Sequence, residues 1–158
     1  MYLEPNQLRI RGKLVSFKNP KKSKIIKSGI FTFSEDYTLQ GNMLIPNVPQ
    51  PNKQINGRYI HKTKENESIP EWYFFESSTN SSNILVAHIV GTPSSEKSLN
   101  KDYQGLYKII DPSNELESEL KHNPQGLNHL INGILNKQNN PTGIITLQAY
   151  VQRRKMYK

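Results

Sequence analysis

The chain has 158 residues, enough for one well-buried domain and too few for two domains of ordinary size. It contains no cysteine, which excludes disulfide bonds, thiolate metal sites and cysteine nucleophiles. Its 21 Lys and Arg residues against 13 Asp and Glu give a formal net charge of +8, and such a surplus favours a polyanionic partner, most commonly nucleic acid.

The amino terminus shows no basic segment followed by an apolar core, and no apolar run approaches the length that spans a bilayer. We therefore expect an intracellular, cytoplasmic protein that makes no membrane contact. The mean hydropathy of -0.71 is low for a compact domain, but eight Tyr, five Phe and one Trp can supply an aromatic core. We expect a single domain over residues 1–158 that ends in a basic tail at residues 153–158.

The first predicted strand covers residues 8–17, where apolar and basic residues alternate with a period of two. One face of this strand is apolar and carries Leu8, Ile10 and Leu14. The other face is basic and carries Arg9, Arg11 and Lys13. A lysine-rich turn follows at residues 18–24, because Pro20 ends the strand. Strand and turn together form a dense concentration of positive charge.

A second hairpin is predicted from residues 25–33 and 38–45, with a short strand at residues 58–62 after a proline-rich connector. Gly29 and Gly41 lie inside the two strands of this hairpin. A glycine in such a position indicates a bulge or a sharp bend of the kind that small barrels need.

The centre of the predicted fold is a long hairpin at residues 71–91. Two aromatic and β-branched runs flank the polar loop at residues 77–83, which can continue neither of them. Simple antiparallel counting places Phe74 opposite Val86 and Trp72 opposite His88. Both faces of this hairpin are largely apolar, which is typical of a central position in a barrel or a sandwich.

Helices are predicted only late in the chain. Asp111 and Pro112 begin a short helix through Lys121, and a second helix runs from Asn123 to about Lys137. The second helix has a buried stripe at the spacing i, i+3, i+4, i+7, i+8, formed by Leu127, Leu130, Ile131, Ile134 and Leu135. The last strand, at residues 144–152, has an apolar inner face formed by Ile145, Leu147, Ala149 and Val151.

These elements predict a mainly β protein, α+β by content. We expect a small β-barrel or sandwich of about seven or eight short antiparallel strands, with two helices in the C-terminal half inserted before the last strand.

No local motif predicts an enzyme, a metal site or a cofactor. The four histidines lack metal-ligand spacing, and the chain lacks a nucleophile elbow and phosphate-binding glycine loops. Alternation places Glu71 and Glu76 on opposite faces of their strand, so the two carboxylates cannot act as one catalytic pair. For His88, a core histidine satisfied by a hydrogen bond is favoured over a general base.

Charge and architecture favour a non-enzymatic module that binds RNA or single-stranded DNA through its phosphates, inside a larger complex with other protein subunits. The basic candidates for contact are exposed side chains of strands, turn and tail, with one tyrosine for base stacking: Arg9, Arg11, Lys13, Lys21, Lys22, Lys24, Arg58, Tyr59, Lys62, Arg153, Arg154 and Lys155. Phe31 and Phe33 could also stack on bases, but inward core positions are favoured for both.

Two other functions remain open. In one, the chain is a protein-interaction subunit that docks a partner through the loop at residues 77–83 and the amphipathic helix. In the other, a β-barrel holds a small ligand near Trp72 and His88. The sequence does not distinguish RNA from DNA.

Overall fold

The computed structural model, which describes residues 6–77, 83–111, 114–136 and 141–151, is a closed antiparallel β-barrel of eight strands. The strands are β1 (Gln7–Ser16), β2 (Lys24–Phe33), β3 (Thr38–Leu44), β4 (Asn52–Lys64), β5 (Glu67–Glu76), β6 (Ile84–Gly91), β7 (Asp102–Ile110) and β8 (Gly143–Tyr150). Each strand pairs with the next one in the chain, and β8 closes the barrel against β1.

Two helices, α1 (Asn114–His122) and α2 (Leu127–Asn136), lie between β7 and β8, joined by a 3-10 turn at Pro124–Gly126. The predicted fold class is therefore confirmed, and the barrel is the form that it takes. Among the described residues, no helix combines the length and the apolar character needed to cross a bilayer.

The barrel interior is filled by side chains, most of them large. Trp72, Phe31 and Phe74 are fully buried, and the Phe31 ring centroid lies 5.6 Å from that of Trp72 and 5.7 Å from that of Phe74. Tyr103 also packs on Trp72, with ring centroids 3.9 Å apart. Phe33 is also buried in this cluster, so both phenylalanines of β2 face inward and neither ring is available for stacking on a base. The middle of the barrel is a packed core, as is usual for eight strands.

A second core lies outside the barrel, where α2 covers β5 and β6. Leu127, Ile131 and Leu135 of the predicted stripe are buried, together with Tyr73 and Val86 on the outer face of the hairpin. Leu130 and Ile134 pack against the same cluster while remaining partly exposed. The central hairpin therefore needs apolar side chains on both faces, because one face fills the barrel and the other receives the helix.

The predicted register of this hairpin was wrong by one residue. In the structure Phe75 lies opposite Val86, Tyr73 opposite His88 and Trp72 opposite Ile89. Directly opposite residues of antiparallel strands share a face, so a slip of one residue would have placed His88 in the barrel interior beside Trp72. The observed register sends Ile89 inward and leaves His88 outside.

The predicted boundaries of β4 and β5 were also wrong. A short strand at residues 58–62 followed by a polar loop was expected, but β4 runs to Lys64 and β5 begins at Glu67. The two strands are joined by Glu65 and Asn66, whose φ angles are both positive, 52° and 67°. Such a two-residue turn matches the right-handed twist of the strands, so polar residues continue the pairing where a loop had been predicted.

Both glycines predicted to mark irregularities lie at close approaches of the backbone. Ile10 pairs with Gly29 and Gly12 pairs with Ile26, so β2 has one extra residue beside Gly29, which is a β-bulge. At Gly41 a β-carbon would stand 2.1 Å from the carbonyl oxygen of Ile30 and 2.7 Å from the Phe31 ring. The missing side chain at Gly41 is what lets Phe31 occupy the core.

The ends of the last elements differ in detail from the prediction. The side chain of Asn123 caps the 3-10 turn, where its Oδ1 accepts a hydrogen bond from the Gly126 amide at 3.1 Å. Pro112, the predicted start of the first helix, lies outside the described residues. In β8 three of the four predicted inner residues are buried, but Val151 follows the strand and is 47% exposed.

Candidate nucleic-acid interface

Strand β1 presents the predicted basic stripe on the outside of the barrel. Leu8, Ile10 and Leu14 are buried in the interior, so the residues between them must face outward. Arg11 and Lys13 are exposed, and Arg9 is half-buried. The alternation read from the sequence is confirmed for this strand.

A groove of about 760 Å³ runs across the outer wall beside this stripe, over strands β2, β1, β8, β7 and β6. Its charged and polar side chains include Arg11, Lys13, Lys27, Asp102, Gln104, Thr146 and Gln148. Two exposed apolar side chains, Ile25 and Val90, also line it, with exposures of 62% and 38%. We call this feature the basic groove.

Contacts from β8 hold the Arg11 side chain in place. Its Nε donates a hydrogen bond to Oε1 of Gln148 at 2.8 Å, and its guanidinium carbon lies 5.8 Å from the centroid of the Tyr150 ring. A guanidinium fixed in this way loses less conformational entropy when it meets an anion, because part of its freedom is already lost.

The bulge in β2 brings a further cation to the groove. Lys13 pairs with Ile25 and Gly12 with Ile26, and Lys27 follows at the irregular position beside Arg11 and Lys13. Lys27 was not among the predicted contact residues. The glycine two positions after Lys27 indicates a bulge, but the position of that bulge depends on strand pairing, which the sequence does not show.

The described side chains that line the groove include three basic residues, Arg11, Lys13 and Lys27, and one acidic residue, Asp102. Asp102 begins β7 and pairs with Gln148. The groove therefore keeps a net positive charge along its β1 and β2 side.

The lysines of the β1–β2 turn lie at one end of the barrel, and Lys21, Lys22 and Lys24 do not line the basic groove. Lys21 and Lys22 are exposed, and the turn is closed by a hydrogen bond from the Lys22 amide to the Asn19 carbonyl oxygen at 3.0 Å. Lys24 differs from these two, because it alternates in step with the buried Ile26 and lines a cavity at the barrel mouth. Arg153, Arg154 and Lys155 lie outside the described residues.

The three candidates of β4 are not brought together with β1. Strand β4 lies three strands away from β1 in one direction and five in the other, so it stands on the far side of the barrel. Arg58 and Lys62 alternate outward there, whereas Tyr59 alternates with the buried Ile55. The Tyr59 ring packs edge-on to Phe33 at 5.2 Å, and its hydroxyl donates to the Ser34 carbonyl oxygen at 2.8 Å. Tyr59 is thus a packed aromatic of the barrel end.

Lys62 forms an ion pair with a buried carboxylate. Glu71 has a side chain only 6% exposed, and its Oε2 lies 2.9 Å from Nζ of Lys62. Its Oε1 accepts a hydrogen bond from Nε2 of His88 at 2.7 Å and another from the Tyr73 hydroxyl at 3.2 Å. The Tyr73 and His88 rings are stacked, 4.1 Å apart and 3° from parallel. We call these four residues the Glu71 network.

The Glu71 network also reaches helix α2, because Asn132 donates to the Tyr73 hydroxyl at 3.4 Å. His88 is hydrogen-bonded, as favoured from the sequence, but it lies on the outer wall and not opposite Trp72. Since Trp72 faces the interior, the two residues are on opposite sides of the sheet. No cavity can therefore be shared by Trp72 and His88.

The pKa values in this network follow from burial and pairing. Burial lowers the pKa of His88 below its ordinary value, and the hydrogen bond to Glu71 offsets only part of that effect. Burial would raise the pKa of Glu71, but hydrogen bonds from Lys62 and His88 outweigh it, so the pKa is lowered. The hydrogen bond to Glu71 raises the pKa of Lys62. At neutral pH the network contains a charged carboxylate, a charged ammonium and a neutral imidazole with its proton on Nε2.

Among the described residues, no group of three or more His, Asp and Glu side chains is placed to hold a metal ion. Comparison with known proteins gives no match to a family model, to a curated protein or to a solved structure. The function must therefore be inferred from the groove and the charges themselves.

Proposed function

We propose that this protein is a non-enzymatic nucleic-acid-binding module that takes RNA or single-stranded DNA into the basic groove through phosphate contacts. The observation that carries the proposal is the convergence of Arg11, Lys13 and Lys27 on one outer groove of about 760 Å³. The proposal includes a cytoplasmic location and a place among other protein subunits in a larger nucleoprotein complex.

Electrostatics supports a polyanionic ligand. Each phosphate that a Lys or Arg neutralises releases condensed counterions, and this release drives binding at low salt. Three cations from two adjacent strands, Arg11, Lys13 and Lys27, lie on the same groove, so they can meet successive phosphates of one chain. The single acidic residue among the described lining, Asp102, leaves the sign of the field positive.

The apolar part of the groove supports a single strand over a duplex. Ile25 and Val90 expose 62% and 38% of their surface within it, and a flexible single strand can turn its sugars and bases toward such side chains. A duplex is stiff over this length and offers mainly phosphates to an outer wall. Tyr150 lies beside Arg11 and offers a ring close to the groove.

The test is a binding series with fluorescein-labelled oligo(U) and oligo(dT) from low to physiological salt. We expect the logarithm of the association constant to fall linearly with the logarithm of salt concentration. A triple variant Arg11→Gln, Lys13→Gln, Lys27→Gln should bind more weakly and reduce the slope by about 2, since each contact with a single strand contributes about 0.7.

The matched control is the triple variant Lys64→Gln, Lys97→Gln, Lys121→Gln, which removes the same charge from exposed lysines that do not line the groove. Equal losses in the two variants would mean that net charge acts without a site. An absence of binding at low salt removes the proposal and leaves the protein-interaction alternative. Duplex DNA, used as a competitor, should displace the single strand poorly.

A further inference from the structure

A second cavity, of about 370 Å³, opens at the end of the barrel where β1 turns into β2. Its apolar wall is formed by Leu14, Ile45, Val48, Leu85 and Ile109. It is separate from the basic groove, because the two share no lining residue. The positions farther inside the barrel are filled by aromatic rings such as Trp72 and Phe74. The cavity is therefore a cup at the mouth of the barrel.

Within the described part of the chain, the mouth is open at β7. Ile109 alternates in step with Tyr103 and Tyr107, which are buried at 2% and 5% exposure, yet it is itself 39% exposed. An inward-alternating isoleucine with that exposure means that nothing in the described residues covers the cup above it. An exposed apolar side chain at an inward position is a feature of ligand cups.

Charged residues occupy inward positions at this end. Lys24 alternates with Ile26, Lys53 with Ile55, and Glu76 with Phe74, and all three charged residues line the cup. Burying a charge inside a barrel is costly unless it is paired. Glu76 and Lys53 are largely buried and therefore need a partner within the cup, whereas Lys24 is exposed.

Glu76 and Lys53 meet that requirement by pairing with each other, and Lys24 is left to a ligand. Glu76, with a side chain 2% exposed, lies 3.3 Å from Nζ of Lys53 and accepts a hydrogen bond from the Leu85 amide at 3.3 Å. Lys24 has no ion pair within the described part of the chain, and Glu76 is the only acidic residue among the lining side chains described. The cup thus holds one positive charge in excess.

We propose that the cup binds a small apolar monocarboxylate, with its hydrocarbon body on Leu14, Leu85 and Ile109 and its carboxylate at Lys24. The volume of about 370 Å³ lies at the lower end of the range for ligand pockets. It corresponds to the liquid volume of about a dozen water molecules at ~30 Å³ each, which suits a two-ring acid. The single excess positive charge matches one carboxylate.

The test uses naphthoate and naphthalenemethanol, which share an aromatic body and differ in charge. Binding is followed by the methyl NMR signals of Leu14, Leu85 and Ile109, with Ile25 and Val90 as reporters of the basic groove. We expect shifts confined to the cup and tighter binding of naphthoate than of the alcohol.

Two variants test the charge and the volume of the cup separately. Lys24→Gln should weaken naphthoate binding about tenfold, the value of one charge-assisted hydrogen bond, and leave the alcohol unchanged. Ile109→Phe should weaken both probes, because it fills the cup. Both changes are at exposed residues, so the variants should melt like the wild type. Lys53 is not substituted, since its removal would leave the buried Glu76 carboxylate without its ion-pair partner.

Equal binding of the two probes, an unchanged affinity in Lys24→Gln, or shifts at Ile25 and Val90 in place of the cup would each overturn the proposal. So would an absence of methyl shifts at saturating probe. None of these results bears on oligonucleotide binding, because the cup and the basic groove share no residue.

Discussion

The two outer walls of the barrel carry outward lysines that have different physical roles. On the β1 side Lys13 lines an open groove, and no carboxylate of the described residues lies within ion-pair distance of it. On the β4 side Lys62 pairs with Glu71, a carboxylate with a side chain only 6% exposed. The difference between these walls comes from the neighbour and not from the lysine. A cation above a buried carboxylate stabilises the fold, whereas a cation without one is available to a ligand.

Helix α2 explains why the second wall needs such a network. It covers Tyr73 and Val86, so Glu71 and His88 beside them lose water. Hydrogen bonds from Lys62, His88 and Tyr73 replace that water. The β1 wall has no described helix on it, and its polar side chains stay solvated.

The largest expected effect is at the interface between helix and barrel. Ile131→Ala removes a fully buried side chain from α2, and a cavity of this kind costs about 2–5 kcal/mol of the free energy of unfolding. The matched control is Ile25→Ala on the other wall, where the side chain is 62% exposed and the cost should be small. Denaturant unfolding measures both. Similar losses in the two variants would contradict the division into a covered and an open wall.

A smaller effect is expected from the carboxylates. Glu71→Gln keeps the shape of a buried side chain but removes the charge that Lys62 and His88 contact, at a cost of about 1–3 kcal/mol of the free energy of unfolding.

Asp102→Asn removes the exposed carboxylate of the basic groove and should leave the stability unchanged while tightening oligonucleotide binding. Thermal unfolding and the salt series test these two outcomes. If Asp102→Asn binds more weakly, the charge argument for the groove is wrong.

Acid should destabilise the protein by protonating two residues of the Glu71 network, His88 and Glu71. The folded-state pKa of His88 is lowered, so its contribution is complete above the ordinary histidine pKa of 6.5 and is lost as the pH falls through the folded value. Glu71 also has a lowered pKa, and its contribution is lost at still lower pH, below its ordinary value of 4.5.

The measurement is the free energy of unfolding across this pH range for the wild type and His88→Gln. The variant should lose the part of the pH dependence that lies just below pH 6.5 and keep the Glu71 part. If the free energy of unfolding of the variant depended on pH in the same way as that of the wild type, protonation of His88 would not be coupled to folding.

The smallest stability effects are expected for single lysines, where the two walls separate by function. Lys62→Gln breaks one ion pair at a side chain that is 62% exposed, so the cost should be below about 1 kcal/mol, and oligonucleotide binding should not change. Lys27→Gln should leave the melting temperature unchanged but reduce the salt slope of binding by about 0.7. If Lys62→Gln weakened oligonucleotide binding and Lys27→Gln did not, the ligand would bind the β4 wall and not the basic groove.

Much of the fold could be predicted because it depends on local alternation. The inward and outward faces of β1, the buried stripe of α2 and the two apolar faces of the central hairpin all follow from periodicity. The hairpin register could not be predicted in this way. A shift of one residue exchanges His88 and Ile89 between the faces, and the simplest count over the polar loop favoured the wrong alternative.

The candidate site was predictable only in part. The strand β1 cations were found, since they alternate with core residues, whereas Lys27 was missed because its place depends on a bulge between two strands. Lys62 and Tyr59 are predicted contacts on residue type alone. The sequence did not reveal that a buried carboxylate contacts the first, or that the ring of the second packs in the barrel end.

By itself the sequence determined the class of fold, the number and order of most elements, the positive charge and the cysteine-free chemistry, because these depend on composition and on the spacing of neighbours along the chain. The tertiary structure decided which lysines share a surface and which are paired, and it placed charged residues at the mouth of the barrel. The physical reason is that an ion pair or a groove joins residues far apart in the chain. Their distances are fixed by strand pairing and barrel closure, which no local pattern encodes.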